Sequence, residues 1–376
     1  DFGAEVIHVE RPKGGDQGRG VRSIKALPVG DWNQYFLVIN RNKKSLAVDL
    51  KQPQGREILY RLAEKSDVFL SNLAADNLAA WGLGYDELRA VNPRLVYAVT
   101  SGYGRWATTS KPAFDMTVQA LTGLMSRLGE PGEPPIYLGM GSGDAYGGLL
   151  GALGILVALQ QRRKTGRGQL VDASLYGAQL LLAAPTLQAY LATGDARHAR
   201  QRSRREPENP LWNTYAARDR WLFLCVPNDD ASFMRLRRAL GDAALFRDPR
   251  FASAGARREQ ASALVAALDE VFAGRTAQDW TERLRAEDLA ASPIGTLRDL
   301  ADDPQAWAND YLLETYCEEV KRNVRIRGLP IGLSKTPGRV EGLGPELGQD
   351  TELLLADLLG YSWEEIDALK TAKVIP

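Results

Sequence analysis

The chain has few of the residues that build metal centres or disulfide frameworks. Among its 376 residues are two cysteines, Cys225 and Cys317, and two histidines, His8 and His198. They form no CxxC pair and leave too few ligands for a zinc site. We therefore expect a cytoplasmic protein in a reducing environment, without a structural metal.

The chain also lacks an excess of one charge, because 47 basic residues balance 47 acidic ones. No global field draws it to nucleic acid or to an anionic membrane, so any anionic ligand must be held by local side chains. No apolar run approaches the roughly 20 residues that span a bilayer. We expect neither nucleic acid nor membrane as a partner.

Strands and helices are predicted to alternate along the first half of the chain. Strands are predicted at residues 4–10, 35–40, 67–72 and 95–100, and helices at 53–65, 75–80, 85–91, 115–128 and 144–163. Such alternation is typical of an α/β protein with a parallel, doubly wound sheet, whose ligands gather beyond the carboxyl ends of the strands. The helix at 144–163 is apolar enough to be expected to lie buried against this sheet.

The second half begins after an Arg-rich stretch. Residues 195–210 are loop-like, end in Pro207 and Pro210, and suit a boundary between two lobes. A strand is predicted at 221–226, and helices at 230–240, 258–273, 277–287, 351–359 and 362–370. At the other end, Gly3 to Glu10 reads as a strand after a glycine turn with no initiator Met before it, so we expect a preceding segment that is absent from this sequence.

Short segments spread over nearly the whole chain resemble, in their order, those of one enzyme family. They are Gly3 to Glu10 with Gly15-Asp16, Asn40 to Ser45, Asp67 to Asn72, Gly82 to Tyr85, Asn92 to Leu95, Ser101 to Gly104, Pro112 to Asp115 with Gln119, Gly141 to Asp144, Thr165 to Asp172 and Leu359 to Ser362. Each is weak alone, but their joint order resembles the class III coenzyme A-transferases, the family of formyl-CoA transferase, carnitine CoA-transferases and alpha-methylacyl-CoA racemase.

The resemblance implies a fold and an assembly. A Rossmann-like large domain is expected from residues 1–195 and 305–376, and a smaller α+β domain from 205–300, with linkers at 196–204 and 301–304. Two chains are expected to thread through each other as an interlocked dimer, either a homodimer or a heteromer with a related subunit. The expected substrates are an acyl-CoA, with succinyl-CoA as the suggested donor, and a carboxylic acid; no cofactor is expected to be permanently bound.

The resemblance also implies the catalytic residue. Asp115 matches the aspartate that the family uses as nucleophile, and a carboxylate can attack a thioester without a separate base because it is already ionised at neutral pH. The alternative is that Asp115 caps the helix that follows, and both roles can coexist. Gln119 and the glycine loop 139–143 are candidates for stabilising oxyanions, although the loop could equally be a plain turn.

Coenzyme A carries a 3′-phosphate and a diphosphate, so basic residues must lie along its path. Arg41, Lys43 and Lys44 match the family block that we associate with the nucleotide end, although a solvated basic loop would look the same. The full set of candidate CoA-binding residues is Arg41, Lys43, Lys44, Asn72, Arg94, Tyr103, Arg105, Gly139, Gly141 and Asp144.

Two loops depart from the family pattern. Residues 73–76 replace an aromatic-Arg-Pro-Gly sequence, so different contacts to the adenine of CoA are expected there. Residues 105–109 replace a Gly-Pro pair in the loop that borders the acyl site, so an unusual acid substrate is expected. An apolar pocket and a pairing cation would select a bulky dicarboxylic acid; the candidates are Tyr103, Trp106, Phe114, Tyr137 and Met140 for the pocket, and Arg105 or Lys111 for the cation. Packing of these aromatic side chains against the sheet edge is the alternative.

Three other functions remain open. A non-catalytic partner subunit would explain the altered loops, whereas Asp115 argues against it. A 2-methylacyl-CoA racemase is disfavoured because Phe114 stands where that branch has a proton-exchanging histidine, despite Asp144. A dinucleotide-binding protein is disfavoured because no G-x-G-x-x-G follows the first strand.

Overall fold

The computed structural model describes residues 1–23, 30–73, 75–106, 113–139 and 141–376. Its strands are β1 (Val6–Glu10), β2 (Lys43–Ala47), β3 (Val68–Ser71), β4 (Val96–Ser101), β5 (Leu170–Ser174), β6 (Trp212–Ala216), β7 (Trp221–Cys225), β8 (Ala290–Pro293), β9 (Leu312–Cys317) and β10 (Arg322–Arg327). Its helices are α1 (Gln34–Ile39), α2 (Pro53–Lys65), α3 (Ala75–Ala80), α4 (Tyr85–Val91), α5 (Asp115–Leu121), α6 (Ser142–Thr165), α7 (Leu175–Leu182), α8 (Ala184–Thr193), α9 (Asp230–Leu240), α10 (Ala254–Glu259), α11 (Ala261–Phe272), α12 (Ala277–Ala286), α13 (Leu297–Ala301), α14 (Pro304–Ala308), α15 (Thr351–Leu353) and α16 (Trp363–Thr371).

The chain divides into two compact units. The first comprises Asp1–Arg105, Gly148–Ser174 and Arg298–Pro376, and the second Trp106–Gly147 and Leu175–Leu297. Both are therefore built from segments that are distant in the sequence. The domain and linker boundaries expected from the family resemblance remain a prediction.

The first unit holds the parallel strands. β1 pairs with β2, and β3, β4 and β5 form a second sheet in that order, all parallel. β9 and β10 form a separate antiparallel hairpin. Buried apolar side chains of α2 and α4, among them Ile58 and Leu88, pack with Leu46 of β2 and Leu355 near the end of the chain. Among the described residues the strands thus form several small sheets in a mixed α/β fold.

The second unit contains an antiparallel sheet, β6-β7-β8, beside helices α9 to α12. Its core includes Tyr215, Phe272 and Trp280, whose rings pack against one another. The helices predicted at 230–240 and 277–287 are confirmed to within a residue. The predicted helix at 258–273 is instead two helices, because α10 ends at Glu259 and α11 begins at Ala261.

The strand predicted at 35–40 is wrong, since these residues lie in α1. The side chain of Asn33 accepts a hydrogen bond from the backbone N–H of Phe36 and so caps the helix. Phe36 is 1% exposed, and its burial fixes the helix against the unit. The run of aromatic and β-branched residues favoured a strand locally, but capping and packing outweigh that propensity.

Helix α6 differs most from expectation. It is 24 residues long, with an 18-residue window of mean hydropathy 1.4, so by length and composition it could cross a membrane. The expectation that no such segment exists is therefore wrong. Glycines and alanines interrupt the leucines of this helix, but the segment as a whole stays apolar enough to span a bilayer. Only 22% of that window is buried, so the expected burial is also wrong for the single chain. Leu149, Leu153, Leu156 and Val157 are each more than half exposed.

Candidate active site

Asp115 is the first residue of α5, and the N-cap is Phe114. The backbone N–H of Phe114 donates to the hydroxyl of Thr117 at 3.0 Å. The expectation that Asp115 is itself the N-cap is therefore wrong by one position. The residue is 6% exposed and stands in the first turn of the short helix.

Three donors meet on one oxygen of Asp115. Oδ1 accepts from Gln119 Nε2 at 3.0 Å, from Gln179 Nε2 at 3.1 Å and from the backbone N–H of Gly143 at 3.1 Å. The other oxygen, Oδ2, is buried and has no hydrogen-bond partner among the described residues. The two carboxylate oxygens thus have very different surroundings.

The two glutamine amides are each held in one orientation. Gln119 Oε1 accepts from the N–H of Leu138 at 3.0 Å, and its Nε2 also donates to the carbonyl oxygen of Gly139 at 3.2 Å. Gln179 Oε1 accepts from the hydroxyl of Thr122 at 3.1 Å. Because each amide oxygen is occupied by a donor, each NH₂ group must face Asp115. Both side chains are fully buried.

Gly143 is the second residue of α6, so its N–H is one of the first-turn donors that have no partner within the helix. Any Cβ at this position would collide with Asp115 Oδ1 and with Gln179 Nε2. Before it, Gly139 and Gly141 have φ values of 120° and 78°, which residues with a side chain rarely adopt. The predicted glycine loop therefore brings a backbone donor to the carboxylate.

Asp144 lies in the first turn of α6, next to this cluster. Desolvation raises its pKa above the ordinary value, and repulsion by the Asp115 carboxylate raises it further. Asp144 therefore lies close to the carboxylate of Asp115, and its expected role in CoA binding remains a prediction. The second unit thus brings together Asp115, Gln119, Gly139, Gly141 and Asp144 of the predicted site.

The basic candidates of the first unit already have protein partners. Arg41 is paired with Asp1 at 2.7 Å and also donates to backbone oxygens at the end of β10. Lys43 donates to the side-chain oxygen of Asn40 at 2.8 Å, and burial lowers its pKa. Lys44 forms an ion pair with Glu5, whose hydrogen bond raises the lysine pKa. A role of these residues in phosphate binding remains a prediction.

The remaining candidates of the first unit fall at two different ends of one sheet. Asn72 follows β3, and Tyr103 and Arg105 follow β4, so all three lie beyond the carboxyl ends of adjacent parallel strands. That edge is where ligands of such sheets gather. Arg94 precedes β4 at the opposite edge, where it donates to the carbonyl oxygen of Gly166. The sheet therefore groups Asn72, Tyr103 and Arg105 and separates Arg94 from them.

The predicted acyl pocket is only partly described. Trp106, Phe114 and Tyr137 of the second unit are 85%, 67% and 53% exposed, which argues against simple packing of these side chains within this unit. Lys111 and Met140 lie outside the described residues. The selection of a bulky acid remains a prediction.

Gln179 and Thr122 are the site residues that the sequence analysis missed. Gln179 lies within α7, which follows β5 directly and whose other residues are almost all apolar. A single amide in such a helix is the signal that could have drawn attention to it, because a buried amide needs partners. Its partner Asp115 is 64 residues away in the sequence, and nothing local indicates that the two meet.

The cluster can act on a carbonyl carbon by nucleophilic attack. Oδ2 of Asp115 accepts no hydrogen bond from the described residues, whereas donors face Oδ1 of the same carboxylate. Such an arrangement stabilises negative charge that develops on a tetrahedral intermediate. The arrangement is therefore suited to acyl transfer by nucleophilic attack.

Comparison with known proteins identifies the family. The family described as CoA-transferase family III matches residues 1–351. A succinyl-CoA:D-citramalate CoA-transferase from Chloroflexus aurantiacus is 33% identical, covering 100% of this chain and 92% of the relative. The β subunit of a succinyl-CoA:L-malate CoA-transferase from the same organism is 32% identical, with coverage of 100% and 92%. A crystal structure of a CaiB/BaiF family protein from Brucella suis is 29% identical with a TM-score of 0.81, over 95% of this chain and 93% of that one. The chain belongs to the class III CoA-transferase family.

Proposed function

We propose that this CoA-transferase moves CoA from succinyl-CoA to a carboxylic acid through an aspartyl-CoA thioester on Asp115. The observation that carries the proposal is the buried Asp115 carboxylate, with Oδ1 held by three donors and Oδ2 unpaired among the described residues. The names of the relatives, which transfer CoA from succinyl-CoA, support the choice of donor.

The reaction would proceed in four substitutions. The Asp115 carboxylate attacks the acyl carbon of the donor, the C–S bond breaks, and CoA leaves as a thiolate. The thiolate attacks Cγ of Asp115, which forms the aspartyl thioester and releases the donor acid. The acceptor carboxylate then attacks Cγ and expels the thiolate, which finally attacks the acyl carbon of the acceptor and frees Asp115. No proton is transferred in this sequence, so no permanently bound cofactor and no separate base are needed.

The acceptor is proposed to be a dicarboxylic acid. Citramalate and malate, in the names of two relatives, are both hydroxydicarboxylic acids. Arg105, which follows the carboxyl end of β4, is the residue that we propose to pair with the second carboxylate. An acid panel with succinyl-CoA tests this: dicarboxylic acids should react with much higher kcat/KM than monocarboxylic acids of equal size. Equal rates for the two classes would remove the role of Arg105.

We further propose that the protein works as an interlocked dimer with a Rossmann-like large domain, either with itself or with a related subunit. The exposed leucines of α6 support a partner, since a helix that is apolar nearly all round needs a covering surface. A relative that is the β subunit of a transferase keeps a second candidate function open, that of a subunit without chemistry of its own.

Trapping of the thioester distinguishes a catalytic chain from a subunit without chemistry of its own. The purified chain is incubated with succinyl-CoA and then with hydroxylamine, which attacks the thioester and modifies the aspartate. We expect an aspartyl hydroxamate at Asp115 and loss of activity, both dependent on succinyl-CoA, and no such modification of the Asp115→Asn variant, because its amide supplies no anionic oxygen. A wild-type chain that forms no adduct alone but is active with a second subunit would favour the non-catalytic function.

A further inference from the structure

We propose that Gln179 is a further catalytic residue, which with Gln119 and Gly143 holds Asp115 Oδ1 as the permanent oxyanion oxygen, so that only Oδ2 exchanges during turnover. The inference rests on the proposed thioester mechanism and deepens it. It assigns different roles to the two oxygens of a single carboxylate and gives Gln179 a role in the reaction.

The geometry distinguishes the two oxygens. Oδ1 accepts hydrogen bonds from all three donors at 3.0 to 3.1 Å, whereas Oδ2 accepts none from the described residues. Hydrogen bonds lower the reactivity of the oxygen that accepts them, so Oδ2 is the better nucleophile. Three bonds to Oδ1 in a buried site also oppose rotation of the carboxylate about Cβ–Cγ.

The same donors serve the later steps. When Oδ2 has formed the anhydride, or sulfur has replaced it in the thioester, Oδ1 is the carbonyl oxygen on Cγ. Attack on Cγ by the CoA thiolate, and later by the acceptor carboxylate, turns Oδ1 into an oxyanion twice in each turnover. Donors at about 3 Å that are already in place need no reorganisation when this charge appears.

Gln179 is fixed for this role by its neighbour. The hydroxyl of Thr122 donates either to Gln179 Oε1 at 3.1 Å or to the carbonyl oxygen of Val118 at 3.0 Å, and its bond to Oε1 keeps the NH₂ group towards Asp115. That NH₂ also lies 3.4 Å from the backbone carbonyl oxygen of Asp115. Thr122 is a positioning residue, since it acts only through the amide.

The four substitutions determine which oxygen of Asp115 is exchanged in each turnover. The donor acid leaves with the oxygen that Asp115 supplied, because the Cγ–Oδ2 bond breaks when the thiolate attacks Cγ. The acceptor then supplies a new oxygen to Cγ, and this oxygen remains on Asp115 when the thiolate attacks the acceptor acyl carbon. Each turnover therefore replaces Oδ2 and leaves Oδ1 unchanged.

The test uses succinyl-CoA with an excess of succinate labelled with ¹⁸O in its carboxylates, while ¹⁴C exchange between succinate and succinyl-CoA is followed in parallel. After many exchanges, mass spectrometry of the peptide that contains Asp115 should show one labelled oxygen. Two labelled oxygens would overturn the inference but leave the covalent mechanism intact. Exchange of ¹⁴C without any label on Asp115 would overturn the covalent mechanism itself.

Variants test the contribution of Gln179. Gln179→Ala should lower kcat about 10²-fold to 10³-fold, as loss of one oxyanion donor does, and admit a second labelled oxygen. Thr122→Val, which keeps Gln179 but loses the hydroxyl, should give a smaller loss of kcat. Gln201→Ala is the matched control, since the Gln201 amide donates to the carbonyl oxygen of Leu128 in the same unit. A folded Gln179→Ala enzyme with wild-type kcat would contradict the proposal.

Discussion

Asp115 shows how neighbouring groups can make one carboxylate oxygen different from the other. A helix N-terminus supplies the Gly143 N–H, and two buried amides supply the other donors. Because glycine at 143 allows the backbone to come this close, the identity of that residue matters as much as that of the aspartate.

We predict that Gly143→Ala disrupts the hydrogen bonds to Asp115 Oδ1 without unfolding the protein. The new methyl group must push Asp115 and Gln179 apart, and kcat should fall at least about 10²-fold, because an oxyanion donor is displaced. The measurement is steady-state transfer from succinyl-CoA together with the melting temperature.

Gly148→Ala is the control in the same helix, where nothing lies within 4 Å of the new Cβ. It should keep its activity and gain up to about 1 kcal/mol of stability from the higher helix propensity of alanine. If both variants lost activity equally, the close approach at Gly143 would not explain the loss.

Sequence reasoning grouped Asp115, Gln119 and the glycine loop because they are near one another in the chain and match one family segment. It missed Gln179 because the contact joins two helices far apart in sequence. It also misplaced the N-cap by one residue, since both Phe114 and Asp115 can precede a helix and only the backbone geometry decides.

Among the elements, those with strong helical spacing were predicted to within a residue or two, as α2, α4 and α9 show. The short β2 was missed because its two lysines interrupt the apolar pattern, although Ser45, Leu46 and Ala47 are buried. The β9–β10 hairpin was also missed, because its charged, outward-facing residues weaken the apolar pattern.

Glu10 connects the end of β1 to the segment that follows it through hydrogen bonds. Its carboxylate is 4% exposed and accepts from Arg19, from the backbone of Asp16 and from the hydroxyl of Ser45. Burial alone would raise the pKa of Glu10, but these donors lower it to about 2.

The depressed pKa predicts a pH-dependent stability. The contribution of ionised Glu10 is fully present above the ordinary pKa of 4.5 and is lost as the pH falls towards 2. Glu10→Gln should therefore destabilise the protein by about 3 kcal/mol at neutral pH, since it leaves Arg19 without its charge partner. This difference should shrink in denaturant titrations as the pH falls below 4.5.

Glu5→Gln is the control on the same edge. Its pair with Lys44 is about half exposed, so the substitution should cost at most about 1 kcal/mol. Equal losses for both variants would mean that burial of Glu10 adds nothing to its contribution.

At the scale of the whole molecule, we expected one doubly wound sheet and a buried α6. Both expectations depended on which surfaces pack against the sheet and the helix, and the sequence of one chain does not reveal this. Periodicity identifies apolar faces but not what covers them. An apolar helix inside an assembly and one that crosses a membrane have the same composition, so the sequence could not decide between them.

We predict that α6 is covered by a second protein chain. Leu153, 56% exposed in the single chain, should lie in the interface, so Leu153→Asp should weaken association and lower the melting temperature. Leu297→Asp, at a leucine that is 86% exposed outside α6, should leave both unchanged. Sedimentation velocity measures the association; a stably folded wild-type monomer, or partition of the wild type into lipid vesicles, would contradict the prediction.

The proposed reaction requires that CoA becomes covalently bound to Asp115. The most direct measurement is mass spectrometry of the enzyme after incubation with succinyl-CoA without an acceptor, followed by mapping of the modified peptide. We predict one CoA per chain in thioester linkage to Asp115, absent from Asp115→Asn and released when an acceptor acid is added. A CoA adduct on another residue, or turnover in an Asp115→Asn enzyme free of deamidated protein, would contradict it.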